Sequence, residues 1–405
     1  MNIKTLNVYI NSELVGNLEE HNGKKLMFKY LDDVKTPISL SMPISKDLYS
    51  NSIVRPFFEN LLPEGDLLKV ISTLYRVSEN NPFSILSAIG EDCAGAIQIT
   101  KNTYLDDSNP PKIVTEDDFK SIMFKAANNQ AFYTKNMRLS LAGVQNKLTL
   151  LIAEDQYYLP TFRFPSTHII KLKNTHFEDI LLNEFFCTDL LNSLKVPTSK
   201  IALKTLDNDE YLLIERYDRI KSNGLFKRIH QEDFCQILSI YPSKKYQNEG
   251  GPSLKNIASA INTHTTYPIV NILLLAKVVV FNYLVGNCDY HGKNIAILHR
   301  EDKTIALTPF YDIVSTSVYQ ELSTDLAMKI NKKSQLNDLT RADFIKEFDS
   351  WGINGLKTLN LILNDFKNIV KHANEIISNN TLLQTSKIVL LISSIISSHY
   401  NKLND

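Results

Sequence analysis

The feature that most constrains the fold of this 405-residue chain is a change of period at Glu215-Arg216-Tyr217-Asp218-Arg219. Before it, short runs alternate apolar and polar residues, as in Leu6-Asn7-Val8-Tyr9-Ile10, Leu26-Met27-Phe28-Lys29-Tyr30 and His168-Ile169-Ile170-Lys171-Leu172. A period of two predicts strands. After it, apolar residues recur at helical spacing over 232–238, 254–262, 269–285, 343–348, 356–377 and 381–400. The exceptions are a strand pair at 295–298 and 304–307. The pattern predicts an α+β chain whose strand-rich half joins an all-α half at Glu215.

The strand-rich half is itself divided. From Ile53 a helical pattern runs through Phe57, Phe58, Leu61 and Leu62, then Leu67, Leu68 and Ile71, then Phe83, Ile85, Leu86 and Ile89. The polar stretch Asn102-Thr103-Tyr104-Leu105-Asp106-Asp107-Ser108-Asn109-Pro110-Pro111 that follows has the composition of a linker. Three segments are therefore expected: a mixed α+β module over 1–105, a strand-rich core over 112–216, and a helical lobe over 217–405.

Acidic and basic residues number 44 each, so no overall field draws the chain to nucleic acid or membrane, and any DNA contact must be local or made through a partner. Cys93, Cys187, Cys235 and Cys288 are far apart, which argues against a zinc site or a disulfide framework and fits a reducing cytoplasm. The N-terminus lacks the apolar core of a signal peptide. Residues 269–285 are strongly apolar but contain Asn271, Lys277 and Asn282, and 387–396 are too few to span a bilayer. Both are read as buried helices, with no membrane partner. The histidines do not cluster as metal ligands, and a GxSxG hydrolase motif is absent.

The chemistry concentrates in Gly286-Asn287-Cys288-Asp289-Tyr290-His291-Gly292-Lys293-Asn294, between the long apolar helix and a short strand. Gly286 is placed for a left-handed helix cap. Asp289 and Asn294 are five apart, a spacing that separates side chains on a helix or a strand. Only a curled loop brings both to one point. An acid to orient a hydroxyl, with an amide and a second acid to hold magnesium, is what phosphoryl transfer requires. Asp312 supplies the second acid. Taken alone, the nonapeptide is equally a plain turn, and Asp312 is equally a helix N-cap.

Two upstream stretches bear on the same chemistry. Arg138-Leu139-Ser140-Leu141-Ala142-Gly143-Val144-Gln145-Asn146-Lys147 precedes a strand, where small residues let backbone N–H groups approach phosphate, although an ordinary loop is the simpler reading. Lys171 lies on a strand, and Glu184 falls inside the apolar stripe of the next helix. A buried carboxylate wants a cation, so Lys171 or a neighbour is expected to meet it, as in the lysine–glutamate pair of protein kinases. The alternative places Glu184 at the edge of the stripe, in water.

These residues resemble one family, the HipA-like serine/threonine kinases, toxins of bacterial HipBA-type toxin–antitoxin modules. The likeness runs from Phe57-Phe58-Glu59-Asn60-Leu61-Leu62-Pro63-Glu64-Gly65 to Thr308-Pro309-Phe310-Tyr311-Asp312. It passes through Ser140-Leu141-Ala142-Gly143-Val144-Gln145-Asn146-Lys147, His168-Ile169-Ile170-Lys171, Asn183-Glu184, Gln231-Glu232-Asp233-Phe234-Cys235-Gln236 and Gly250-Gly251-Pro252 in order. The resemblance implies a bilobal protein-kinase-like fold with an extra N-terminal α+β subdomain. It further implies that Ser140 is autophosphorylated, that Ala142, Gly143 and Val144 form the ATP phosphate loop, and that Lys147 and Lys171 contact phosphates. Glu215 and Tyr217 would read adenine, and Asp218 would reach the ribose side. Asp289 would be the catalytic aspartate, braced by His291, and Asn294 and Asp312 the magnesium ligands. The implied substrate is an aminoacyl-tRNA synthetase, and the implied partner a HipB-type helix-turn-helix antitoxin that makes the contact with DNA. Cys288 and Tyr290 depart from the family pattern and put the access of a substrate hydroxyl in question. A non-catalytic, antitoxin-bound corepressor and a small-molecule or lipid kinase are the alternatives.

Overall fold

Period-two runs become strands here because each can bury one face. The computed structural model describes residues 3–21, 24–101, 110–127, 147–173, 176–207, 209–222 and 225–405. The chain forms two units: Met1–Thr175, Lys204–Ser243 and Leu298–Lys303 make the first, and His176–Leu203, Lys244–Ile297 and Thr304–Asp405 the second. The chain passes between units several times, so they are drawn differently from the contiguous segments 1–105, 112–216 and 217–405.

The first unit holds two separate cores. In one, the antiparallel strands Lys25–Tyr30, Glu13–His21, Lys4–Ile10 and Ile97–Thr100 lie in that order. Leu6, Val8, Leu18 and Phe28 from them bury against Val54, Phe57 and Phe58 of helix Asn51–Glu59, and against Ile85 and Leu86 of helix Pro82–Ile89. In the other, Gln156–Tyr158, Lys147–Ala153, His168–Leu172 and Asp209–Glu215 form consecutive antiparallel strands. Leu148, Leu150, Ile170, Leu172 and Tyr211 on one face meet Phe119, Ile122 and Met123 of helix Glu116–Ala127.

Charge also joins these parts. Asp92 accepts from Ser166 at 2.6 Å, Arg219 at 3.3 Å and Arg228 at 3.4 Å. Asp218 accepts from Arg216 through Nε at 2.9 Å and Nη2 at 2.7 Å, and from the Gly95 N–H at 2.7 Å. All five charged groups are buried. Burial alone would raise both carboxyls, yet the arginines hold Asp92 and Asp218 below the usual carboxylate range. Such a network is sensitive because losing one member strands the others in low dielectric.

The expected all-α half needs correction. Past Glu215 the first unit adds a hairpin, Arg219–Ser222 with Leu225–Arg228, and the strand His230–Asp233. Its inward positions include Arg219 and Arg228, so an apolar alternation was never there to read. The second unit adds Asp325–Ile330 paired with Lys333–Gln335. They are joined by Asn331 and Lys332, both at positive φ as a tight hairpin turn requires. The single helix expected over 356–377 is two, Gly355–Asp365 and Ile369–Ser378.

The remaining helices of the second unit are Ile180–Ser193, Leu254–His264, Pro268–Val285, Arg341–Ser350, Thr381–Thr385 and Lys387–Asn404. Pro268–Val285 is long and apolar enough to cross a membrane, but 67% of it is buried within the protein. The buried-helix reading stands.

Asp92→Ala is expected to lower unfolding free energy by about 3–5 kcal/mol, because three buried arginines lose a counter-charge. Lys227→Ala, which breaks an exposed 3.3 Å pair with Glu301, should cost less than about 1 kcal/mol. Urea titrations followed by circular dichroism compare the two.

Candidate active site

The polar loop is built from the end of helix Pro268–Val285 outward. Gly286 adopts φ 73° and ψ 37°, a left-handed cap, and the Asn287 N–H returns to the Asn282 carbonyl at 2.8 Å. A Cβ at Gly286 would lie 2.0 Å from Ser317 Oγ and 3.2 Å from Ser317 Cβ, so any side chain here would displace Ser317 as well as strain the left-handed backbone. The Asn287 side chain donates to Asn282 Oδ1 at 2.7 Å and accepts the Asp289 N–H at 3.0 Å. Asp289 is thereby hydrogen-bonded to the helix through one side chain, while its carboxylate stays exposed.

Neighbouring segments hold the loop. Cys288 donates its N–H to Thr316 Oγ1 at 2.8 Å, and its carbonyl accepts the Ala327 N–H at 2.8 Å. Cys288 and Tyr290 are buried, and burial pushes the Cys288 thiol up to about 11. Both side chains therefore pack inward, away from any substrate hydroxyl at the exposed Asp289.

Asn294 and Asp312 converge as expected. Asn294 Oδ1 accepts the His291 N–H at 3.1 Å, and Nδ2 donates to Asp312 Oδ2 at 3.1 Å. Tyr311 donates to the Lys293 carbonyl at 2.7 Å, fixing the residue beside Asp312 to the same loop. Asp312 has φ 58°, which an aspartate tolerates better than most residues. No helix follows it, so the N-cap alternative does not hold. A carboxylate and an amide oxygen are hard donors of the kind magnesium takes. The amide oxygen has a second lone pair beyond the one facing His291. The donor set fits the ion.

Asn183 was missed as a site residue. Wholly buried in helix Ile180–Ser193, it donates to the Ser315 carbonyl at 2.9 Å and accepts the Ser315 N–H at 2.8 Å. It thus clamps the segment after Asp312; in the sequence it stood only within the Asn183-Glu184 block of the resemblance, with no role attached. Glu184 is also buried, which excludes the solvent-edge alternative.

In the first unit Lys147 and Lys171 are directly opposite one another across antiparallel strands, and both are buried. Direct partners share a face, here the one opposite helix Glu116–Ala127. The register therefore sets two ammonium-bearing side chains on one buried face of the sheet. Ser140, Ala142, Gly143 and Val144 lie outside the described residues. Glu215 ends its strand exposed, opposite His168, and Tyr217 is half-buried. Asp218 differs from its expected ribose role, since both its oxygens serve the buried arginine network.

Histidines do come together in the fold, against the sequence expectation. One ligand atom each of His230, Glu232 and His299 lies within 4.8 Å of the others. Glu232 accepts from His299 at 2.9 Å, from Ser39 Oγ, and from the Leu40 N–H at 3.1 Å. Burial brings the His230 imidazole down to about 4. The two imidazoles stack at 4.9 Å with planes 28° apart, so their in-plane lone pairs do not aim at one tetrahedral centre. The cluster ties residues 38–40 to strand His230–Asp233.

The two lysines on a strand-rich sheet and the acids on a loop among helices define an α+β, kinase-like fold. The HipA-like C-terminal domain matches residues 139–378, and the HipA N-terminal domain residues 6–100. The chain belongs to the HipA-like family. It is 32% identical over 352 residues to a Sinorhizobium fredii protein named as a kinase, Y4mE, covering 84% of each chain. It is 27% identical over 396 residues to the serine/threonine-protein kinase toxin HipA of Shewanella oneidensis, covering 94% of this chain and 90% of that one. A chain in the solved complex of Shewanella oneidensis HipA, HipB and operator DNA shares the fold, with TM-score 0.85 and 23% identity over 98% of this chain and 97% of that one.

Gly286→Ala should destabilise the protein by at least about 1–2 kcal/mol, the cost of a left-handed alanine. In Gly286→Ala/Ser317→Gly the contact is relieved but the backbone cost remains, so a thermal melt should recover only partly.

Proposed function

We propose that the chain is a Mg-ATP-dependent protein serine/threonine kinase acting as a toxin. The observation that carries this reading is the convergence of Asn294 and Asp312 on the loop that presents Asp289. Asp289 orients the target hydroxyl and takes its proton as the hydroxyl oxygen bonds to the γ-phosphorus and the bond to the bridging oxygen of ADP breaks. Asn294 and Asp312 hold magnesium, which when bound supplies neutralising charge to the phosphates. The paired, buried Lys147 and Lys171 support a phosphate-binding role for that face of the sheet. Glu215 and Tyr217 serve adenine, and Ser140 is the autophosphorylation site.

The named activity of the Shewanella oneidensis relative supports protein serine or threonine as acceptor. Its complex with HipB and operator DNA supports an antitoxin of that type as partner, with DNA reached through it. The substrate we propose is an aminoacyl-tRNA synthetase, met in the cytoplasm.

The test is to incubate purified protein with Mg-ATP and a bacterial lysate and map phosphosites by mass spectrometry. Asp289→Asn should lower transfer by about 10²- to 10⁴-fold, the usual contribution of a general base, with an unchanged melting curve. Absence of any Asp289-dependent phosphopeptide, on the protein itself or on another, overturns the kinase reading.

A further inference from the structure

A second loop of the same unit reaches the acid. The Tyr246 hydroxyl donates to Asp289 Oδ1 at 2.7 Å, and its ring stands edge-on to His291, centroids 5.4 Å apart and planes at 79°. The Lys245 ammonium lies over the same ring, 5.5 Å from its centre. The Tyr246 carbonyl accepts the Glu249 N–H at 3.0 Å and the Gly251 N–H at 2.9 Å. That turn needs Gly250 at φ 99° and a glycine at 251, where a Cβ would lie 2.5 Å from the Lys244 carbonyl oxygen.

Both loops are fastened to one strand, Asp325–Ile330. Ala327 donates its N–H to the Cys288 carbonyl at 2.8 Å, and Lys329 donates its N–H to Gln247 Oε1 at 2.7 Å. The approach of phenol to carboxylate is therefore set by one backbone–backbone bond on the Asp289 side and one bond to the Gln247 side chain on the Tyr246 side. A mobile plug over the acid would not be tied down in this way.

We propose that Tyr246 is a positioning residue for phosphoryl transfer: its hydrogen bond to Oδ1 helps fix the plane in which the Asp289 carboxylate meets the target hydroxyl. This inference rests on the kinase reading above. A carboxylate free to turn about its last torsion offers either oxygen in many orientations. One held at Oδ1 by a fixed donor is confined to fewer orientations, the kind of ordering that lowers a barrier without new chemistry. The hydroxyl proton passes to the Asp289 carboxylate as the new O–P bond forms and the bond to ADP breaks, and the Tyr246 O–H bond stays intact throughout.

Tyr246→Phe keeps the ring against His291 and removes only the donor. It should lower kcat by about 10- to 100-fold, the effect of one hydrogen bond to a charged group, with KM for ATP and the melting temperature unchanged. An unchanged or raised kcat overturns the proposal, a rise being the mark of a blocking tyrosine. A readout independent of turnover is the Asp289 carboxyl carbon, followed by 13C NMR against pH in the parent and the variant. Tyr246 of the second loop donates to this carboxylate, and Cys288 of its own loop interacts with it electrostatically. A donated hydrogen bond favours the charged carboxylate, so the midpoint should be higher in Tyr246→Phe. Equal midpoints overturn the proposal whatever the activity. A shifted midpoint with no transfer by either protein overturns the kinase reading, and the positioning role falls with it.

Discussion

The hydrogen bonds of Asn287 are the constraint on which the candidate site depends. One amide donates back into the helix at Asn282 and accepts forward from the Asp289 N–H. A helix end must satisfy its backbone groups somehow, and here the solution also sets the direction of the loop. The left-handed Gly286 turns the chain, Asn287 fixes the turn, and Asp289 emerges at the surface of a buried element. Thr316 and Ala327 then hold Cys288 from either side. The geometry of the candidate site in this unit is thus inherited from capping geometry.

Much of this was legible in the sequence. That Asp289 and Asn294 share a curled loop could be argued from a spacing that no helix or strand accommodates and from the apolar segment before it, and Asp312, also singled out from the sequence, meets Asn294. The apolar alternation of the first strands was equally open to reading, because each buries one greasy face. What escaped reading was structure built on polar burial. Hairpin Arg219–Ser222/Leu225–Arg228 turns arginines inward, and a pattern method that expects apolar residues there sees only a charged loop. The same reason hid Asn183, whose partners are backbone groups of Ser315 more than a hundred residues away. It also hid the true employment of Asp218, which sequence context alone could assign to a ligand as readily as to an arginine.

The buried arginine network explains why the N-terminal residues share a unit with the second sheet while keeping a core of their own. Their apolar clusters are distinct, with Leu6 to Ile99 in one and Val114 to Tyr211 in the other. Between them, Asp92 and Gly95 meet Ser166, Arg216, Asp218, Arg219 and Arg228. A polar joint of this kind contributes less than an apolar one to net stability but tolerates few alternative alignments. Within the unit it fixes register where apolar packing would permit sliding.

The facing lysines of strands Lys147–Ala153 and His168–Leu172 carry a consequence of a different kind. The register puts two ammonium-bearing side chains side by side on a buried face, and any ligand that binds that face in the folded protein alone would stabilise the fold by mass action. Ligand binding and folding are then thermodynamically linked, each strengthening the other by the same free energy. On the kinase reading proposed above, the sheet would act as a gauge of its own occupancy, its melting temperature reporting how much nucleotide is present even before a substrate protein is in hand.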